Sequence, residues 1–146
     1  MQVRVILHVL ANVPPIAEKL VETVVAEASA KMADPSYAAA LVDSWVRNQP
    51  AASHYVTAHV DELGGSEGVV QTVFHAALID TCFRRAKGRS VPTLSFADLD
   101  HVAAFDRDAE LRSRQPALAD YLLVNVENLS MRGVLVLLAL GMDHAV

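Results

Sequence analysis

Tyr55 and His59 stand four residues apart, and Tyr121 and Asn125 repeat that spacing 66 positions later. On a helix, residues at i and i+4 share a face, so each tyrosine lies beside its polar companion. A phenol, an imidazole and a carboxamide suit the orientation of a small polar ligand, which makes these four candidates for one pocket. For acid-base catalysis His59 needs a positioned nucleophile or acid, and local spacing supplies none. The plainer account is that each ring fills core while the polar side chain bonds tyrosine or a backbone carbonyl.

His75 and Asp80 are the other polar intrusions in apolar sequence, inside VVQTVFHAALIDTCF. A buried histidine beside a carboxylate is where a shifted pKa arises, so His75 joins the pocket candidates. Their five-residue spacing separates them by about 140° around a helix, which argues for structural hydrogen bonds over a dyad.

Arg84, Arg85, Lys87 and Arg89 place four cations in six residues and are the phosphate-contact candidates. They also close a helix, where cations are favoured by its dipole. A net charge of −5, from 12 Lys and Arg against 17 Asp and Glu, weighs against nucleic acid as a partner.

No metal or cofactor is expected. His54 and His59, five apart, splay around a helix, and the acid–histidine pairs Asp98/His101 and His59/Glu62 each occur once, where a dimetal bundle uses paired Glu-x-x-His motifs. Neither a glycine-rich phosphate loop nor a Gly-x-Ser-x-Gly elbow is present. The single cysteine, Cys82, permits no internal disulfide and reads as a small core residue, so a reducing, cytoplasmic setting is expected.

The elements that position these residues are helices, two of them near-copies. Gln49 to Leu63 reads QPAASHYVTAHVDEL and Gln115 to Leu129 reads QPALADYLLVNVENL, with six identities in fifteen places. Pro50 and Pro116 open a helix, where the missing N–H costs nothing, and the glutamine before each serves as a local cap or turn. With 53% apolar and only 5% aromatic residues, the core is built from small aliphatics that let helices approach closely. The fold class expected is all-α: one domain, a bundle of seven or eight helices. It divides into N-terminal helices over 1–33 and two three-helix units, 34–88 and 89–146, related by an internal twofold repeat.

Boundary signals mark the helices. Asp34-Pro35 starts one; Gly64-Gly65 ends the Pro50–Leu63 helix, with Ser66 capping the next; Ser95 and Asp98 form a capping box with a Leu94–Leu99 staple. The run Asp106 to Arg114 reads as a solvated face carrying Asp108–Arg112 and Glu110–Arg114 pairs, and Ser130 opens the last helix. Residues Val3 to Ala11 read as a helix with the apolar stripe Val3, Ile6, Leu7 and Leu10. His8 and the following Pro14-Pro15 argue against a signal peptide there. Gly133 to Met142 is about half the length of a membrane span, so no span is expected and this is a core helix.

These features favour a non-enzymatic interaction or scaffold protein, self-associating as a homodimer or binding a protein partner through apolar helix faces. The Val3–Leu10 stripe and the final helix are the candidate surfaces. The alternative is a small-molecule binder or enzyme whose pocket lies between the two halves.

Overall fold

The computed structural model describes residues 14–146, so the Val3–Leu10 stripe lies outside the described residues. Among them are eight α-helices and no strand: α1 Glu18–Lys31, α2 Pro35–Asn48, α3 Pro50–Ala58, α4 Ser66–Lys87, α5 Phe96–Ala103, α6 Arg107–Arg114, α7 Pro116–Asn125 and α8 Leu129–Ala145. The all-α bundle expected from apolar spacing is the observed fold.

Local chemistry sets most boundaries. Asp34 Oδ1 accepts the Ser36 N–H at 3.0 Å, and Ser95 and Asp98 complete the capping box ahead of α5. Gly88, at φ 69°, closes α4 in the left-handed region. Three expected boundaries shift. The Pro50 helix ends at Ala58, a turn early, because His59 and Val60 take tighter backbone bonds to Val56 and Thr57 while the chain swings Leu63 into the core. Ser66 lies inside α4 and caps nothing; Gly65 holds the N-cap place. Asn128, not Ser130, caps α8 by accepting the Met131 N–H at 3.0 Å.

Two long helices form the centre. α4 packs against α1, α2, α3 and α8, and α8 packs against α4, α5, α6 and α7. Every residue from Val134 to Met142 is buried, so the final helix is not the partner surface that its composition suggested. Four neighbours surround it, which is why it is apolar on all sides. The Leu94 and Leu99 staple closes against Gly141, where a Cβ would stand 3.2 Å and 3.5 Å from their side chains. Among the described residues no helix is long and apolar enough to cross a membrane.

Every main packed pair in α1–α4 has a counterpart in α5–α8: α1/α4 with α5/α8, α2/α4 with α6/α8, α2/α3 with α6/α7, and α3/α4 with α7/α8. Residues 89–146 hold four helices where a three-helix unit was expected, and between the two sets of four α1 meets α7 and α3 meets α5. Two buried glutamines fix those crossings. Gln49, 0% exposed, accepts the Leu94 N–H at 2.8 Å and donates to the Pro92 carbonyl at 3.0 Å. Gln115, 1% exposed, accepts the Ile16 N–H at 2.8 Å and donates to Asp143 Oδ1 at 2.8 Å. Neither side chain caps its own helix, so the local role expected for them gives way to a long-range one. Each ties the start of α3 or α7 to the segment leading into α5 or α1, satisfying backbone groups that the core would otherwise strand.

Candidate functional site: the seam between α1 and α7

Gln115 sets this seam, because it opens α7 and also holds Ile16, two residues before α1. Between the helices lies a groove of about 380 Å³. Val21 and Tyr121 form its buried floor, Val25 and Ala117 its sides, and Val124, 78% exposed, an open apolar wall. Glu18, Glu22 and Asp120 stand at the same groove. Glu18 and Glu22 make no ion pair among the described residues, whereas Asp120 meets Arg112 from α6. Two like charges at i and i+4 disfavour the helix slightly.

Tyr121 and Asn125 both line this groove. Asn125 Nδ2 donates to the Tyr121 carbonyl at 2.9 Å. The Tyr121 hydroxyl shares a 2.6 Å hydrogen bond with His75 Nδ1, reaching through to α4. Burial pushes the phenol's pKa up and the imidazole's down, so both are neutral near pH 7. A neutral pair satisfied by itself is a structural link between α4 and α7. His75 also lines a neighbouring groove of about 620 Å³ between α2 and α4, bordered by Met32, Val42, Val46, Val70 and Phe74.

Tyr55 lies on α3 and His59 just past its end, away from the α1/α7 groove. His59 Nδ1–H donates to the Tyr55 carbonyl at 2.8 Å, and the two rings stand edge to face at 4.5 Å. Both are half-buried, and neither lines the α1/α7 groove. The structure thus groups Tyr121 with Asn125 and His75, and Tyr55 with His59, without joining the sets in one pocket.

Of the four basic candidates, Arg84 bonds Asp80 and Thr81, and Arg85 pairs with Glu27 of α1. Lys87 and Arg89 make no ion pair among the described residues. Asp80 carries a raised pKa because burial outweighs the attraction of Arg84. The α6 run is not simply a solvated face: Arg112 reaches Asp120 and Arg114 reaches Asp143, leaving a 3.9 Å Arg114–Glu110 contact as its remaining internal pair. The Cys82 thiol is pushed up to about 12 by burial, which removes it as a nucleophile. Among the described residues no three His, Cys, Asp or Glu side chains converge as metal ligands.

Sequence reasoning missed the roles of Gln49 and Gln115, although their repeated Gln-Pro placement was the available signal. Comparison of the chain with family models, with curated proteins and with solved structures finds no match.

Proposed function

We propose that the protein is a non-enzymatic interaction module whose α1/α7 groove receives an amphipathic partner segment carrying Lys or Arg along one flank. The observation behind this is the groove itself: an apolar floor and an exposed apolar wall beside Glu18 and Glu22, two carboxylates with no counter-charge among the described residues. An amphipathic helix laid in such a groove buries its apolar face while its cations meet the carboxylates. The polar groups nearby are already bonded to one another, which favours binding over bond-making.

A labelled helical peptide with leucine at i, i+3, i+4 and i+7 and lysine along one side tests the reading by fluorescence anisotropy. Saturable, salt-weakened binding is expected, reduced at least about tenfold by Glu18→Lys with Glu22→Lys. Equal binding of an otherwise identical glutamate-flanked peptide, or full binding by the double variant, removes the proposal. Tighter binding after deletion of residues 1–13 would assign the groove to the chain's own N-terminus. A mass that doubles with concentration and reverts in the Glu18/Glu22 variant would assign it to a second copy.

A second reading, self-association, is favoured by the α2/α4 surface, where Met32, Val46 and Val70 are 49%, 37% and 53% exposed around one apolar groove. A twofold contact between such patches needs no charge complementarity. Light scattering on wild type and Val70→Asp checks it: a dimer lost in the variant is expected, and a monomer at every concentration excludes it.

A further inference from the structure

One end of the α1/α7 groove lies where the described residues begin. Gln115 holds the Ile16 N–H there, and Pro14 and Pro15 stand exposed just before it. Ala17 is extended, with ψ 139°, and prolines occupy positions 14 and 15, so α1 does not run on backwards into residues 1–13. Residues 3–11 are therefore a separate element, tethered to this end of the groove by residues 12–15.

Tether and groove match in length. Four residues span up to about 14 Å, more than the roughly 8–10 Å between packed helix axes, so the segment can fold back beside α1. Nine residues in a helix are about 14 Å long, and the groove from Glu18 to Ala26 on α1 is about 12 Å by the same rise. The chemistry matches as well. Val3, Ile6, Leu7 and Leu10 form one apolar stripe, and Arg4 with His8, at i and i+4, keep the basic groups to one side. The groove answers with the apolar surfaces of Val21, Val25 and Val124, and with Glu18 and Glu22, also at i and i+4, which make no ion pair among the described residues.

A short tether favours this occupant over any other. It gives a segment an effective concentration on the order of millimolar at its own groove, above what a separate partner or a second copy reaches in dilute solution. Resting on the proposed reading of the groove as a receptor for basic-flanked amphipathic helices, we infer that residues 3–11 are its resident occupant. Folded back as a helix antiparallel to α1, they seat the Val3, Ile6, Leu7 and Leu10 stripe on the groove, and an outside segment binds only by displacing them. Pairing outward from the tether, Ala11 with Glu18, brings Arg4 level with Val25 and within one turn of Glu22. The chain thus carries its own competitor, and a partner's affinity is reduced by the fraction of time the groove is filled.

Cys82 is buried and its thiol is pushed up to about 12, so a nitroxide on Gln2→Cys labels one position of the full chain. Paramagnetic broadening should be strongest at Val25 and Val124, weaker at Val46 and Val70 of the α2/α4 surface, and absent when spin label and isotope are carried on different molecules. Ile6→Asp with Leu7→Asp should abolish it and tighten binding of the lysine-flanked peptide at least about tenfold, because the competitor no longer holds the groove. Arg4→Glu, a milder change, should tighten peptide binding by roughly threefold. Broadening centred on Val46 and Val70, broadening that passes between molecules, or none at Val25 and Val124 would overturn the inference. Broadening at the groove with no peptide binding to any variant keeps the resident segment and removes the outside partner. Equal peptide binding by all variants, without broadening, keeps the receptor and removes the resident.

Discussion

The α1/α7 and α3/α5 seams are built by the same kind of glutamine clasp and finished differently. Counted from the clasped residues Ile16 and Leu94, Glu18 on α1 corresponds to Phe96 on α5; counted from Gln115 and Gln49, Asp120 on α7 corresponds to His54 on α3. At α3/α5 the two rings meet edge to face at 5.8 Å, bridging the helices. At α1/α7 the matching positions are carboxylates, which repel and cannot bridge one another, and the seam is an open groove. Clasping sets where helices cross; a pair of side chains decides whether the crossing is closed or receptive.

Several substitutions sharpen or break that comparison. The largest effect belongs to the shared centre: Leu138→Ala in α8, 0% exposed, should cost about 2–5 kcal/mol in chemical denaturation, through lost burial and an unfilled cavity. Leu78→Ala in α4, also buried, falls in the same range. A loss of self-association without a loss of stability in Leu138→Ala would contradict the central placing of α8.

The clasps come next. Gln49→Ala strands the Leu94 N–H, and Gln115→Ala strands the Ile16 N–H, so each should cost about 1–3 kcal/mol. The Gln115 loss should be the greater, because its amide donates to the carboxylate of Asp143 where Gln49 donates to a neutral carbonyl. Equal unfolding midpoints for the two variants would remove that distinction.

A smaller effect follows from the link between α4 and α7. Burial lowers the folded pKa of His75 below its ordinary 6.5, so the unfolded chain takes up a proton that the folded chain refuses. This contribution is fully present above 6.5 and is lost as pH falls toward the lowered folded value. In denaturation series between neutral and mildly acidic pH, wild type should lose stability more steeply than His75→Gln; parallel slopes would place the titration elsewhere. The smallest change in stability is expected from transplanting the closed seam, Glu18→Phe with Asp120→His. An added aromatic pair contributes about 0.5–1.5 kcal/mol, yet peptide binding should disappear.

Much of the helical framework was legible because its signals are local. Asp34-Pro35, the Ser95–Asp98 box and the apolar spacing of α4 and α8 all act within a few residues. What escaped acts at a distance: Gln115 finds Ile16 99 residues away, Gln49 finds Leu94 45 away, and His75 finds Tyr121 46 away. Periodicity says which face a residue occupies but not which element covers that face. The same limit explains the candidate pocket. Tyr55/His59 and Tyr121/Asn125 share a spacing, but the first pair sits at the end of α3 and the second on α7, and only the second lines the α1/α7 groove. The Arg112 and Arg114 pairings likewise depend on α7 and α8 lying alongside α6, which no i,i+4 rule reports.

The most direct test of the receptive seam is chemical-shift mapping of the full chain with the lysine-flanked amphipathic peptide. Perturbations should concentrate at Val21, Val25, Tyr121 and Val124, with Glu18 and Glu22 at their edge, while Tyr55, His59 and the His54–Phe96 bridge stay unmoved. Perturbation centred on α3/α5, or spread evenly over both seams, would contradict the account.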